Sequence, residues 1–277
     1  MHEGAEFLLY LNGETGKPYQ CVEYPLKRLE ANETNLDAAW GDGYGHRSTK
    51  HFFGAPYLDG RKPSIFLARG IYTRHKMIAL DVDPATHTLI ERWRWNNNTP
   101  GSEWYGQGYH NFGIADVDWD GRDEIVFGSM VIDDNGKGLS TSGLGHGDSQ
   151  HCGDFDPYSF GQEIFACNES RPGNNFRDAT TSKVYYRYEA GDDDGRANMG
   201  KFVKDIPGAQ GVSARDPNLV GSVSHAAIEG YNKSSFNITQ NFRIYWDGDL
   251  CDESFDYRNG KNTEGHIVKA TEGDSSA

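Results

Sequence analysis

Hydrophobic residues along this chain occur in short runs rather than at helical spacing. No window places apolar residues at i, i+3, i+4 and i+7 over three turns, so long amphipathic helices are not predicted. Short runs rich in apolar side chains recur instead between clusters of glycine, aspartate and asparagine, at 64–68, 124–127, 163–166 and 183–186. Runs of this kind, bounded by turn-forming residues, are typical of β-strands. The pattern therefore predicts an all-β fold built from short strands.

Two kinds of unit repeat along the chain. One is a polar turn followed by an apolar strand, and the other is a strand, a tight turn and a second strand. The first unit occurs at 57–70, 115–129, 153–168 and, more loosely, 200–214, and the second occurs at 10–20, 79–93 and 176–188. Their mean period is near the roughly 40–50 residues of a four-stranded propeller blade. The repeats predict a β-propeller, and a β-sandwich with coincidental aspartate turns is the alternative.

The chain is long enough for only five or six such blades. A propeller closes its ring so that its edge strands are protected, and the stretch 266–277 shows no pattern of a closing strand. We therefore expect residues 1–277 to form a partial β-propeller domain that lacks N-terminal blades and C-terminal closure.

Charge narrows the classes of partner. The 277 residues include 41 acidic and 27 basic side chains, for a formal net charge of −14. Nothing resembles the basic face that a nucleic-acid partner requires, and no apolar stretch is long enough to span a bilayer. An acidic chain with repeated aspartate clusters favours bound cations that complete the charge balance.

Cysteines and glycosylation triplets bear on the compartment. The four cysteines, Cys21, Cys152, Cys167 and Cys251, show no CxxC metal spacing. Cys152 and Cys167 flank the turn and strand of one unit, so a disulfide between them is one alternative in an oxidising compartment. Five Asn-x-Ser/Thr triplets favour an exported protein, although no secretory signal is visible at the N-terminus. A secreted or periplasmic location is expected.

The strongest local chemical signal is the aspartate-rich turn at 116–124. Oxygen ligands at alternate positions around a sharp glycine turn suit a hard divalent cation, and they predict calcium. The predicted ligands are Asp116, Asp118, Asp120, the backbone of Arg122, and Glu124. Strands rather than helices flank this loop, so it differs from an EF-hand. A solvated turn without metal is the alternative.

A longer version of this turn follows at 154–163. Asp154, Asp156 and Glu163 are its predicted calcium ligands, but the middle acid is missing. Two further clusters, 192–196 and 247–249, are weaker candidates of the same kind, because either also reads as a solvated turn.

A glycine-rich segment between the two loops carries further polar groups. It contains His146, Asp148 and His151, and His110 lies just before the first loop. Zinc prefers tetrahedral histidine and cysteine ligands. Histidines beside carboxylates instead predict a calcium site, with nitrogen ligands from His110 and His146 and a carboxylate ligand from Asp148, or a catalytic base; ordinary hydrogen-bonded histidines are the structural alternative.

Six segments together resemble the rhamnogalacturonan endolyases of polysaccharide lyase family 11, over about residues 1–250. They are 40–47, 68–74, 106–139, 143–157, 192–196 and 241–250. The resemblance implies an eight-bladed, calcium-loaded propeller that cleaves the rhamnogalacturonan I backbone of pectin by β-elimination. It also implies that segments missing here complete the enzyme, so the catalytic base is expected outside this chain.

β-Elimination beside a carboxylate requires that the carboxylate be neutralised, which calcium and arginine both accomplish. Arg196 matches the family's substrate-contacting arginine, and Arg69, Arg74 and Arg47 are further candidates for contact with an acidic plant cell-wall polysaccharide. An arginine paired with neighbouring aspartates is the alternative for Arg196. The expected protein is a monomeric lyase. Its rivals are a calcium-stabilised propeller for carbohydrate binding or adhesion, and a glycoside hydrolase with two opposed carboxylates.

Overall fold

The fold is almost entirely β-structure. The computed structural model describes residues 4–258 and 261–270, and within them it contains 21 strands, two short α-helices, α1 (Leu36–Trp40) and α2 (Lys233–Phe236), and one 3₁₀ turn (Arg47–Thr49). No helix of the described residues is long and apolar enough to cross a membrane. The prediction of an all-β fold with short strands is confirmed.

Six antiparallel sheets follow one another along the chain, each made of consecutive strands. The first pairs β1 (Phe7–Leu11) with β2 (Pro18–Glu23), and the second contains β3 (His51–Gly54), β4 (Ile65–Arg69), β5 (Lys76–Asp83) and β6 (Thr88–Asn96). The third contains β7 (Gly113–Ala115), β8 (Glu124–Phe127), β9 (Met130–Ile132) and β10 (Gly138–Thr141). The fourth contains β11 (Ser149–Gly153), β12 (Glu163–Asn168), β13 (Gly173–Asp178) and β14 (Val184–Glu189). The fifth contains β15 (Ala197–Gly200), β16 (Gln210–Ser213), β17 (Asn218–Gly221) and β18 (Ala226–Asn232), and the sixth β19 (Phe242–Ile244), β20 (Glu253–Arg258) and β21 (Lys261–Val268).

The two repeating units of the sequence correspond to parts of these sheets. The turn-and-strand units end in β4, β8, β12 and β16, the second strands of their sheets. The strand–turn–strand units form the hairpins β1–β2, β5–β6 and β13–β14. Aspartate begins the tight turn in two hairpins: Asp83 accepts the Ala85 N–H at 2.8 Å, and Asp178 accepts the Thr181 N–H at 2.6 Å. These turns could be predicted from the sequence because the hydrogen bonds that form them join residues two or three positions apart.

The core lies between successive sheets. Phe66 and Met77 of the second sheet share one buried cluster with Ile125 and Phe127 of the third. Further clusters join the third sheet to the fourth and the fourth to the fifth. Strands β8 and β12 are buried on both faces, which explains why their sequences are continuous apolar runs rather than alternating ones. The first strands of neighbouring sheets, β7, β11, β15 and β19, contact each other in that order.

Two expectations about the chain are corrected. Cys152 pairs with Ile164 and Cys167 with Ser149 across β11 and β12, so the two cysteines are not opposite each other and both are free. Residues 266–268, for which no strand was predicted, form the end of β21. Residues 271–277 of that stretch lie outside the described residues.

Candidate active site

Three side chains from the glycine-rich connections meet beside the first strands of the third and fourth sheets. His110 precedes β7, and His146 and Asp148 precede β11, so all three lie at the same end of these strands. Their ligand atoms lie within 4.8 Å of one another, and His110 Nε2 is 3.2 Å from Asp148 Oδ1. The structure therefore brings together three of the predicted metal ligands.

Glycine permits the close approach that forms this cluster. A Cβ added to Gly147 would collide with the carbonyl oxygen of Cys167 and with the Tyr109 ring. A Cβ on Gly108 would collide with His75 and Phe127. The glycines around the histidines are therefore required by packing.

His146 is held in one tautomer. Its Nδ1 lies 2.7 Å from the Gly108 carbonyl oxygen, which only accepts, so Nδ1 carries the proton. Burial lowers the pKa of His146, so the ring is neutral and Nε2 keeps its lone pair. Nε2 is buried and has no hydrogen-bond partner among the described residues, although the Glu169 carboxylate lies 3.4 Å away. An orphaned ring nitrogen with its other nitrogen anchored to a backbone carbonyl is the usual state of a metal-ligating histidine.

The other two members of the cluster also have altered acidity. Burial lowers the pKa of His110, and the nearby His146 lowers it further. Burial raises the pKa of Asp148, and the negative charge of Asp193 adds to that shift. A bound cation at this position would offset both the burial of Asp148 and its repulsion by Asp193.

Tyr72 completes one wall of the cluster. Its hydroxyl lies 3.4 Å from His110 Nε2, and its ring centroid lies 4.2 Å from that of His146. The Arg47 guanidinium lies 5.6 Å from the centre of the Tyr72 ring. Tyr72 has φ 66°, which is rare for a bulky residue. Tyr72 was not predicted as a site residue, because nothing in the local sequence marks its backbone conformation.

Basic side chains surround the same cluster. The positive charges of Arg47 and Lys50 lower the pKa of His146, and Lys50 also acts on His110. The charge of Arg196 lowers the pKa of Asp148 against the larger effect of burial. Arg47 and Lys50 precede β3, the first strand of the second sheet, and Arg196 precedes β15, the first strand of the fifth sheet. Lys50 was not among the predicted site residues.

Arg196 is exposed and does not pair with the preceding aspartates in the described residues. Its Nη1 donates to the Gly195 carbonyl oxygen at 2.7 Å, whereas Arg215 forms the ion pair with Asp192 at 2.9 Å. The alternative of a purely structural Arg196 paired with its neighbours is therefore not what the structure contains. The guanidinium remains available to a ligand.

Arg69 and Arg74, predicted as substrate ligands, have structural positions instead. Both are buried, at 0% and 1% exposure. Arg69 pairs with Glu6 at 2.5 Å and donates to the Leu26 carbonyl oxygen. Arg74 pairs with Glu33 and donates to Asn96. Their guanidinium groups are occupied by protein partners, so the prediction of direct substrate contact disagrees with this structure.

The first aspartate loop gathers part of its predicted ligand set at the opposite end of β7. Asp116, Asp118 and Glu124 place carboxylate oxygens within 4.8 Å of one another. Asp116 Oδ1 and Glu124 Oε1 are buried and find no hydrogen-bond partner in the part of the chain that the structure describes. Burial raises the pKa of Glu124 to about 8, and the three nearby aspartates add to this. Three converging acids with two orphaned oxygens fit a hard cation.

Asp120, another predicted ligand of that loop, lies outside this group. Asp120 is exposed and accepts the Arg122 N–H at 2.9 Å, outside the group of three carboxylates. The Arg122 side chain pairs with Asp134 at 2.9 Å. Asp134, Asp133 and Glu124 form a second carboxylate group, which was not among the predicted metal sites.

The second aspartate loop, at 154–163, and the turn at 247–249, here called the third loop, share one feature with the first: the glutamate of the following strand accepts a backbone N–H of the loop. Glu124 accepts the Val117 N–H, Glu163 accepts the Phe155 and Asp156 N–H groups, and Glu253 accepts the Trp246 N–H. Within the described residues, Asp154, Asp156 and Glu163 do not gather their oxygens as the first loop does; Asp154 is exposed, and Asp156 lies 3.5 Å from His225 Nε2.

In the third loop an internal cation is already present. Lys269 Nζ contacts Asp247, lies 2.6 Å from Asp249 and lies 3.6 Å from Glu253. The weak metal prediction at 247–249 therefore falls on a group of acids that a lysine neutralises.

Comparisons with known proteins agree with this architecture. The family described as Rhamnogalacturonan lyase family 11, C-terminal domain, matches residues 1–273. The chain is 39% identical over 261 residues to the rhamnogalacturonan exolyase YesX of Bacillus subtilis, covering 92% of this chain and 41% of that protein. It is 38% identical over 275 residues to the rhamnogalacturonan endolyase YesW of the same organism, covering 93% of this chain and 41% of that protein.

A solved structure gives the same result for the fold. The crystal structure of the exotype rhamnogalacturonan lyase YesX superposes with a TM-score of 0.83 and 36% identity, over 96% of this chain and 43% of that one. The chain thus spans less than half the length of the relatives it matches. The family match covers nearly the whole chain, so the chain belongs to rhamnogalacturonan lyase family 11, in its C-terminal domain.

Proposed function

We propose that this chain forms part of the catalytic domain of a lyase that cleaves the rhamnogalacturonan I backbone by calcium-assisted β-elimination. The proposal includes a β-propeller arrangement, in which the successive sheets are blades and the contacting strands β7, β11, β15 and β19 line the centre. The proposed enzyme is exported, because its polymeric substrate belongs to the plant cell wall. It is also proposed to act as a monomer.

The observation that carries the proposal is the cluster of His110, His146 and Asp148 with its surrounding cations. An orphaned imidazole nitrogen, a carboxylate and three basic side chains converge at one end of the strands. An anionic sugar is the ligand whose charge such a surface complements. A scaffold that only bound or adhered would not require this group.

Two places fit calcium. Asp116, Asp118 and Glu124 would hold one ion, and His110, His146 and Asp148 would hold another, as their unpartnered buried atoms support. Calcium in the second place would supply positive charge that stabilises the carboxylate side of a uronic acid as charge develops on it. The second loop, with Asp154, Asp156 and Glu163, remains a weaker candidate.

The chain's own residues bind and orient the substrate in this proposal. Arg196 binds the galacturonate carboxylate, because its planar guanidinium matches a carboxylate with two parallel hydrogen bonds. Arg47 and Lys50 add positive charge near His146.

β-Elimination removes the C5 proton to a base, breaks the C4–O4 bond and leaves a C4–C5 double bond, while O4 receives a proton. We place the base outside this chain. His151 Nε2 is taken by the Ala197 carbonyl oxygen at 2.9 Å, and His146 Nε2 is assigned to the metal.

The test compares two arginines in the full-length protein acting on rhamnogalacturonan with calcium, followed by the ultraviolet absorbance of the unsaturated product. Arg196→Ala is expected to lower kcat/KM by about 100-fold, as the loss of a charged transition-state contact does, and Arg196→Lys is expected to recover only part. Arg215→Ala is the matched control, because it removes a nearby exposed arginine that pairs with Asp192.

Three outcomes contradict the proposal. No absorbance rise from the folded wild-type protein would leave the calcium-stabilised binding scaffold as the better reading. Equal losses for Arg196→Ala and Arg215→Ala would show a nonspecific effect of charge. Full activity of Arg196→Ala would remove Arg196 from the substrate site.

A further inference from the structure

Two neighbouring loops carry exposed aromatic rings away from the histidine cluster. Trp119 lies in loop 116–123, and Tyr158 and Phe160 lie in loop 154–162, with exposures of 49%, 77% and 83%. The ring centroids of Trp119 and Phe160 are 4.8 Å apart, with their planes inclined by 33°. We propose that these three rings, the aromatic platform, bind uncharged sugar rings of a polysaccharide at a site separate from the candidate active site.

The two loops form one surface. Gln162 of the second loop donates from Nε2 to the Asp116 carbonyl oxygen of the first at 3.2 Å. Each loop is also fixed to its own sheet by the glutamate that begins the next strand, Glu124 or Glu163. The platform is therefore held by hydrogen bonds on both sides rather than built from free loop tips.

Packing in the core does not account for the indole of Trp119. Its φ is 64°, a conformation that glycine adopts without strain and that is an outlier for a bulky side chain. The indole is half exposed, so burial in the core does not offset the strain. The turn, in which Asp118 accepts the Asp120 N–H and Asp116 accepts the Gly121 N–H, sets this backbone and leaves the indole facing outward.

The platform and the histidine cluster lie at opposite ends of the same strands. His110 precedes β7 and Trp119 follows it, while His146 precedes β11 and Tyr158 follows it. The five residues of β11 span roughly 16 Å at about 3.3 Å per residue. A ligand on the platform therefore does not occupy the candidate active site.

The chemistry of the platform fits a sugar better than a protein. Apart from Pro157, the exposed apolar surface of the two loops is entirely aromatic, because Val117 and Phe155 are buried. Exposed carboxylates of Asp118, Asp120 and Asp154 lie in the same loops. Flat rings match the C–H faces of a pyranose, and carboxylates accept hydrogen bonds from its hydroxyls. The core of a protein–protein interface is instead depleted of charge.

Charge selects a neutral sugar. The two loops together contain six aspartates and one arginine, for a formal charge of −5. One divalent cation in the first loop would still leave −3. A polyuronate would be repelled by this surface, so the ligand is a neutral glycan chain.

Binding is measured on the full-length protein by affinity electrophoresis in gels that contain either a neutral β-1,4-galactan or polygalacturonate. Trp119→Gly removes the indole and relieves the backbone strain, so the variant is expected to fold. It and Phe160→Ala are each expected to raise the Kd for the galactan about tenfold, which corresponds to the loss of one stacked ring. Phe7→Ala, which removes an exposed ring of β1, is the control and is expected to bind as the wild type does.

The inference rests on the proposed function only in taking a polysaccharide as the ligand, and the lyase assay on the same samples separates the two. If the wild type binds galactan, both variants lose this binding and the wild type shows no lyase activity, the platform is supported and the proposed function is refuted. Wild-type galactan binding in both variants, no binding by the wild type, or equal binding of polygalacturonate overturns the platform. A lower melting temperature of Trp119→Gly with unchanged binding also overturns it, because the ring would then pack against protein.

Discussion

Replacing Asp118 by asparagine is expected to change protein stability in opposite directions with and without calcium. Asp116, Asp118 and Glu124 hold carboxylate oxygens within 4.8 Å of one another, and two oxygens of the group have no hydrogen-bond partner. With calcium bound, the charges are ligands and stabilise the folded state by mass action. Without calcium, the same charges repel.

The repulsion can be estimated from the separation. Two unit charges 4.8 Å apart repel by about 0.9 kcal/mol at the dielectric constant of water and by about 3.5 kcal/mol at an effective value of 20. Asp118 is exposed, so the lower figure applies to its pairs with Asp116 and Glu124. Burial raises the pKa of Glu124 to about 8, so the full repulsion develops above that pH. Asp118→Asn then relieves about 2 kcal/mol.

The assay is thermal unfolding at a pH above the pKa of Glu124, in excess calcium and in excess EGTA. Asp118→Asn is expected to melt below the wild type in calcium and above it in EGTA, by about 2–4 °C for each kcal/mol in a domain of this size. Asp205→Asn removes an exposed aspartate outside the group and should shift both curves equally. A wild-type curve that EGTA does not move, or an Asp118→Asn variant that is less stable in both conditions, would refute the reasoning.

Two further predictions concern buried groups. Burial lowers the pKa of His75 to about 3, and the nearby His146 adds to this, so the folded protein holds a neutral ring while the unfolded chain takes a proton near pH 6.5. As the pH falls from about 6.5 to about 3, the free energy of unfolding is therefore expected to fall by about 1.4 kcal/mol per pH unit. His75→Leu should show a shallower decline in acid unfolding titrations. An unchanged slope would contradict the neutral, buried state of His75. Cys152 and Cys167 face Ile164 and Ser149, so thiol titration of the denatured, unreduced protein is expected to find both free, and a blocked pair would contradict the register.

Interactions between residues that are close in sequence explain which parts of the fold could be predicted. Aspartate turns followed by apolar runs were assigned from the sequence because a side chain two or three residues from the backbone N–H it accepts sets the turn. The double burial of β8 and β12 was visible as uninterrupted apolar sequence. The strand at 266–268 was missed because its sequence has no comparable pattern and its partner, β20, supplies the pairing.

The candidate site was predictable only in part. His110, His146 and Asp148 lie in segments marked by unusual glycine density, and the structure brings them together. Tyr72 and Lys50 carried no such signal, because their relation to the cluster depends on how the second sheet packs against the third.

The sequence by itself determined the short strands, the aspartate loops and the residue types available for metal and carbohydrate chemistry, because these depend on neighbours within a few positions. Only the tertiary structure decided which charges remain free. Arg69 and Arg74 find Glu6 and Glu33 from distant parts of the chain and are buried with them, whereas Arg196 stays exposed because Arg215 takes Asp192. Partner choice between residues far apart in sequence follows from packing, and composition and spacing do not contain it.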